Sequence, residues 1–385
     1  MNNQQPMIVG YYPNWNYRRE DASFDTNNID PTLYTHLIYA YAALNKKTFC
    51  LKSTNEWIDI KDEGYKQFTD LKTRNPQLKL MISLGEWTDS TKNKTTKYFQ
   101  LVSSPRNIDT FVKSALEFLE KYNFDGLDLH WKYPNTEEDR TGFTNLIVAL
   151  HNALKPYGYL LSAAVPPTAS AINAGYDVPV VNKRLDFINV MAYDFHGPWG
   201  SEVIKADHHS PLRQRLRETN SELNVDCAIN YWIRQGMSPA KINMGIPLYG
   251  RSWILSSNVT TPPAPAHGPL PKGKVAHEDG TMAYYEICDA IHNKGWTVYK
   301  TSQAMGPYAV SPAANGRMWV GYDDPAMAIA KTNYVLSKGL GGVMLWDISM
   351  DDFQGISGAG PNPVTNAIVQ TISQYNSSAT MFSFV

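Results

Sequence analysis

Eight short apolar runs recur along this chain, and their rhythm constrains the fold more than any other feature. They are Ile8–Tyr12, Leu37–Ala42, Leu80–Leu84, Gly126–His130, Leu160–Val165, Phe187–Ala192, Ile242–Pro247 and Gly342–Trp346. Most run into Gly, Pro, Asp or Trp. Apolar runs without alternation are what strands buried on both faces look like. Helical stripes lie between them. Phe111, Ala115, Phe118/Leu119 and Tyr122 share one face, with Asp109 ahead of them. Phe143, Leu146/Ile147, Leu150 and Leu154 share another within Thr141–Leu154, and Ala326–Leu336 repeats the idea before the last run. Strand and helix alternating eight times predicts an α/β fold, a TIM (β/α)8 barrel, with a doubly wound open sheet as the structural alternative. At 385 residues the chain exceeds a bare barrel, which runs to about 250 residues and tolerates insertions.

One stretch breaks the rhythm. Residues 253–320 open with Thr261-Pro262-Pro263-Ala264-Pro265 and continue with short strand-like and helix-like pieces, such as Met282–Ile291 and Trp296–Lys300. The expected organisation is barrel strands one to seven over 7–252, a small α+β insertion between strand seven and helix seven over 253–320, helix seven to helix eight over 321–375, and a C-terminal tail over 376–385. A long structured loop is the simpler alternative for the insertion.

Charge excludes some partners. The 35 basic and 36 acidic residues balance, and no long run of one sign points to nucleic acid or an anionic membrane. No apolar run reaches the ~18–20 residues of a membrane span. The three cysteines, Cys50, Cys227 and Cys288, lie far apart, without metal-site spacing, so neither a metal nor a cofactor is expected. Met1 to Gln5 lacks the apolar stretch of a secretory signal.

The most specific segment is Phe124-Asp125-Gly126-Leu127-Asp128-Leu129-His130-Trp131-Lys132-Tyr133-Pro134. Alternation on a strand puts Asp128, His130 and Lys132 on one side, the barrel interior. Three ionisable groups there are costly unless they serve a function or pair with one another, and a buried charge ladder is the structural alternative.

This segment resembles the fourth-strand signature of the family 18 glycoside hydrolases, the chitinases, which reads Asp-Gly-x-Asp-x-Asp-Trp-Glu-Tyr-Pro. Asp125, Gly126, Asp128, Trp131, Tyr133 and Pro134 match it; His130 stands for the third Asp and Lys132 for the Glu. The resemblance covers about Ile8 to Gln370. It includes Val9-Gly10-Tyr11-Tyr12-Pro13-Asn14-Trp15, Thr35-His36-Leu37-Ile38-Tyr39-Ala40-Tyr41-Ala42, Met191-Ala192-Tyr193-Asp194, Gly245-Ile246-Pro247-Leu248-Tyr249-Gly250-Arg251 and Gly342-Val343-Met344-Leu345-Trp346-Asp347. Ser83-Leu84-Gly85-Glu86-Trp87 is similar to a Ser-x-Gly-Gly-Trp motif, with Glu86 replacing a Gly. Gly10 and Tyr34 stand where animal members often carry cysteines.

The resemblance implies a catalytic Glu that protonates the leaving oxygen, and an Asp that orients the substrate's own acetamido group for attack. Asp125, Asp128, His130 and Lys132 are then degenerate catalytic positions, since a Lys at its ordinary pKa of ~10.4 is a poor acid. It also implies Trp346 as a sugar-stacking floor, Tyr193 on the acetamide, Asp194 on a hydroxyl, Tyr12 and Tyr133 in the same subsite, Met191, Tyr249 and Arg251 on the adjoining wall, and Trp87 and Trp199 along the cleft. The expected function is therefore a chitinase-like lectin, a pseudoenzyme that binds chitin or N-acetylglucosamine oligosaccharides without cleaving them. The rivals are a protein-interaction subunit, for example of a toxin-like assembly, with a filled cleft, and a weak or altered hydrolase. The family resemblance implies an extracellular protein; the polar start and the few cysteines fit a leaderless one.

Overall fold

The computed structural model describes residues 5–18, 22–85, 89, 96–199, 204–215, 222–273, 276, 278–301 and 305–382. Its strands are β1 (Met7–Pro13), β2 (His36–Leu44), β3 (Leu51–Ser53), β4 (Lys79–Gly85), β5 (Gly126–His130), β6 (Leu160–Val165), β7 (Phe187–Val190), β8 (Lys205–Ala206), β9 (Ile242–Pro247), β10 (Tyr249–Leu255), β11 (Ala264–Pro269), β12 (Thr281–Ala283), β13 (Thr297–Tyr299), β14 (Tyr308–Val310), β15 (Met318–Gly321) and β16 (Gly342–Trp346). Eight of them, in the order β1-β16-β9-β7-β6-β5-β4-β2, form a parallel sheet that closes on itself through β1 and β2. This is the TIM barrel that the eight runs predict. β3 turns back on β2 as an antiparallel hairpin on the rim.

Local signals explain the elements. Ser104 caps the helix Pro105–Tyr122, which carries Pro at its first turn and ends at Asn123 in the left-handed region. Thr136 caps Glu137–Leu154, whose first turn holds three acids against the helix dipole. The predicted stripe Phe143, Leu146, Ile147, Leu150 and Leu154 is its buried face. At the base of the barrel two aspartates staple neighbouring strands. The Asp125 carboxylate accepts from the Leu80 amide (2.7 Å) and from Lys72 (2.8 Å). Asp186 accepts likewise from the Leu161 amide (2.8 Å). Asp125 is thus a structural residue at the far end from the rim, which corrects its place among the catalytic positions.

Two further expectations are corrected. The sixth run ends as a strand at Val190, because the amides of Ala192 and Tyr193 turn back onto Val190 and Met191 two residues earlier (2.8 Å each) and leave the ladder. The helix Pro363–Phe382 runs through most of the stretch expected to be a tail.

A second, antiparallel sheet, β13-β14-β15-β10-β11-β8 with β12 on β10, comes from the chain between barrel strands β9 and β16 together with the helix Tyr284–Lys294, except for its edge strand β8, which precedes β9; it suggests an insertion domain. Where the chain returns to the barrel, Asp323 is ion-paired with Lys331 of the helix Pro325–Lys338, and both are buried. Lys331 also donates to Ser210 (2.6 Å), which donates to the Ala192 carbonyl (2.7 Å). The return is thereby tied to the end of strand six.

Candidate functional site

The barrel interior holds a polar layer set by strand register. Ser83, Asp128 and Ser162 are direct cross-strand neighbours on β4, β5 and β6, and Asn189 pairs with Asn243 on β7 and β9. The Asp128 carboxylate accepts from the hydroxyls of Ser162 (2.6 Å), Ser83 (2.7 Å) and Tyr11 (2.8 Å). Asn189 donates to the Tyr11 oxygen (3.1 Å) and accepts from Asn243 (3.1 Å). Burial pushes the Asp128 carboxyl up, against the pull of the three hydroxyls. Asp128 is therefore satisfied by neutral donors.

One step up the strand lies His130, 1% exposed. Its ring is boxed by Tyr41 (5.3 Å between centroids), Tyr11 (6.0 Å) and Trp346 (6.0 Å, perpendicular). Among the described residues neither ring nitrogen has a hydrogen-bond partner. Burial, and then the nearby Lys132 charge, holds His130 well below the usual imidazole range, so it is a neutral ring at physiological pH. Lys132 follows just past the strand end and is half-buried. Leu129 and Trp131 face the other way, and Trp131 stacks on Tyr98 (5.5 Å).

The floor is aromatic. Trp346, at the end of β16, lies against Tyr11 (5.3 Å) and stacks with Tyr41 (6.0 Å, 26° between planes). Tyr41 in turn stacks with Trp15 (5.9 Å, 23°), which is 45% exposed. The three rings form a stair from the barrel axis to solvent. On the opposite wall Asp194 sits at φ 61°, a left-handed conformation uncommon for a residue other than Gly. Its carboxylate accepts from Tyr249 (2.9 Å) and from both Nε and Nη2 of Arg251 (2.8 Å each), with His209 Nδ1 at 3.3 Å. Burial opposes the charge, yet Arg251 and His209 hold this carboxyl well below the usual range. The Arg251 guanidinium lies 4.7 Å from the ring of Trp199, which is 54% exposed. Tyr193 packs on Tyr249 (6.0 Å) and over Gly245, where a Cβ would come within 2.9 Å of its ring. Tyr133 is half-buried, near enough for Asp194 to raise its phenol further after burial has done so.

Asp128, His130, Trp346, Tyr193, Asp194, Tyr249, Arg251 and Trp199 therefore converge on the C-terminal rim of the barrel, where such folds build their sites. Met191 is buried beside them in sequence, at the end of the sixth run. Tyr12 does not join them. Its ring packs on Tyr39, Phe68 and Phe24 in the layer outside the barrel, and Tyr11 is the tyrosine that points inward. Trp87 and Glu86 lie outside the described residues. Sequence reasoning missed Tyr11, Tyr41 and Trp15, and also the Ser83, Ser162, Asn189 and Asn243 layer. That layer had a signal: one small polar residue inside each of four otherwise apolar runs. Among the described residues no group of three or more His, Cys, Asp or Glu is placed to hold a metal, and no helix is long and apolar enough to cross a membrane.

The family profile described as glycosyl hydrolases family 18 matches residues 7–351. The chain belongs to this family. Among curated relatives, the probable chitinase 10 of Drosophila melanogaster is 38% identical over 94% of this chain, which spans only 16% of that protein's length. The human chitinase-3-like protein 2 is 38% identical over 95% of this chain and 92% of its own length. Among solved structures, human YKL-39 superposes with a TM-score of 0.87 at 35% identity, covering 96% of this chain and 100% of that one; it is described as a pseudo-chitinase with retained chitooligosaccharide binding. The family 18 relatives thus include chitinases and a pseudo-chitinase, and this chain shares the fold of both.

Proposed function

We propose that this family 18 protein is a chitinase-like lectin, binding N-acetylglucosamine oligosaccharides in the rim cleft without hydrolysing them. The observation that carries the reading is the pair at the end of β5: a neutral, buried His130 and a Lys132 stand where the family signature has Asp and Glu. Protonation of a leaving oxygen calls for an acid tuned near ~6–7, and a group with a reference pKa of ~10.4 is a poor donor at neutral pH. Acetamide attack also needs an anion to orient the amide. His130 is uncharged, and Asp128 is occupied by Tyr11, Ser83 and Ser162. Losing the general acid alone lowers the rate by ~10²–10⁴-fold.

Retained binding is supported by Trp346 and the exposed Trp15, held either side of the buried Tyr41 ring, since apolar faces of sugar rings stack on aromatic platforms. It is supported too by the Asp194, Tyr249 and Arg251 cluster as an oriented acceptor for hydroxyls, and by the chitooligosaccharide binding described for YKL-39. Calorimetric titration with chitin oligomers tests the reading alongside a fluorogenic chitobioside assay. The expected result is saturable binding without turnover, with Trp346→Ala weakening affinity by about tenfold or more. Unchanged affinity in that variant would show that the site is misplaced. Turnover abolished by Lys132→Ala would show that the protein is an enzyme.

A further inference from the structure

We infer that the rim carries a second, anion-recognising subsite that extends the cleft, so that the preferred glycan is an N-acetylglucosamine-containing chain bearing carboxylate or sulfate groups. The inference rests on the cleft reading above and adds the chemistry of the ligand.

The observation is a surface pocket of about 460 Å³ at the β2–β3 hairpin, lined by Asn45, Lys46, Lys47, Lys52, Thr54 and Lys97 among others. Among the described residues that line it a single acid, Asp89, is present, and that carboxylate is engaged by Lys97 and by the Tyr98 hydroxyl (2.6 Å). Lys46, Lys47 and Lys52 are exposed, and among the described residues they make no ion pair. Three unneutralised ammonium groups thus share one pocket in a chain whose total charge is close to zero.

The hairpin that presents them is ordered by its own backbone. The Asn45 amide donates to the Cys50 carbonyl (2.9 Å), the Phe49 amide donates to the Asn45 carbonyl (2.8 Å), and the Asn45 side chain accepts from the Lys47 amide (3.0 Å). The lysines therefore project from a fixed turn, which reduces the ordering entropy of binding.

Continuity with the aromatic stair argues for a glycan. Thr54 lines the pocket, donates to the Tyr41 carbonyl (2.9 Å) and accepts from Asn14 (3.1 Å), the residue before Trp15. A chain lying on Trp346 and the exposed Trp15, across the buried Tyr41, would lead toward this pocket. The described acids of the cleft would not repel an anionic chain: the Asp128 carboxyl is buried beneath hydroxyls with its pKa raised, and Asp194 is neutralised by Arg251. His130 and Lys132, in place of two acids, remove a further barrier.

The test compares three oligosaccharides of matched length by calorimetry: a neutral chitin oligomer, a 6-O-sulfated chitin oligomer, and one alternating N-acetylglucosamine with glucuronate. Each is titrated at low ionic strength and at about 0.15 M salt. The triple variant Lys46→Glu/Lys47→Glu/Lys52→Glu is run beside the parent, with thermal melts to confirm folding. At least one anionic oligomer is expected to bind about tenfold tighter than the neutral one at low salt, to lose that margin as salt rises, and to lose it in the variant while neutral binding stays unchanged. The two anionic arms distinguish sulfate from carboxylate. Neutral binding with no gain from either anion would overturn this inference alone; a protein that binds none of the three overturns the cleft reading with it. A gain that survives the variant places the anion site elsewhere. Equal, lysine-dependent binding of poly-glutamate would overturn the assignment to a glycan.

Discussion

His130 shows how much depends on one side chain. A buried imidazole without a hydrogen-bond partner costs about 1–3 kcal/mol, and this one is retained where an Asp would be a charged anion. The pH dependence follows from its depressed pKa. Unfolded, a His titrates near ~6.5; folded, this one stays neutral well below that. Below pH ~6.5 the unfolded chain takes up a proton that the folded one refuses. The stability contribution is therefore full above that pH and declines below it, by up to ~1.4 kcal/mol per pH unit. His36 and His208, held to about 4 by burial, act in the same direction. Melting temperatures of the parent and of His130→Gln, followed from pH 7 down to ~5, should show a shallower fall in the variant; parallel curves would mean that the ring is not the titrating group. The same position permits a gain-of-function test. His130→Asp/Lys132→Glu should raise chitobioside hydrolysis by ~10²-fold or more if the cleft is otherwise competent. A folded double variant without activity would mean that the loss runs deeper, with Glu86 the next residue to change. Reading single residues from sequence failed at the tandem Tyr11-Tyr12 because a strand buried on both faces has no alternation to reveal which side chain points inward. Trp346, Asp194 and Arg251, read from sequence as ligand-binding, lie at the rim, at or just beyond strand ends.

At the scale of elements, the legible parts were those with period and punctuation. β5, β6, β9 and β16 coincide with the predicted runs, and the predicted apolar stripes fall within the helices Pro105–Tyr122 and Glu137–Leu154, which begin earlier than the stripes themselves. What was not legible came from backbone turns and packing that leave no periodic trace, such as the early end of β7 and the extension of the last helix. The absent cysteine pair has a packing counterpart. A Cβ on Gly10 would lie 2.6 Å from Ile348 Cγ2 and 2.9 Å from the Tyr34 ring, so the Tyr34 side chain fills the space beside the first strand. Gly10→Ala should therefore destabilise the fold by about 1–3 kcal/mol through overpacking. Urea denaturation measures it, and a loss below ~0.5 kcal/mol would show that Tyr34 yields easily.

The whole molecule is a closed barrel with a second sheet beside its rim, joined through the Asp323–Lys331–Ser210 chain and through Arg251, which reaches from β10 to Asp194 past the end of β7. The architecture was legible in the eight-fold rhythm. The strands of the second sheet are too short and irregular to show a period, and only their composition set them apart. Closure has a further consequence. β1 is hydrogen-bonded to β2 on one side and to β16 on the other, with Met7 opposite Gly342, so the first strand made waits for the last. Until β16 has been synthesised, β1 and β9 each present an unpaired edge, a template for pairing with other chains. During synthesis the nascent barrel is thus an open, adhesive sheet with a high kinetic barrier to completion. Its yield in a cell is governed by how long those two edges stay apart.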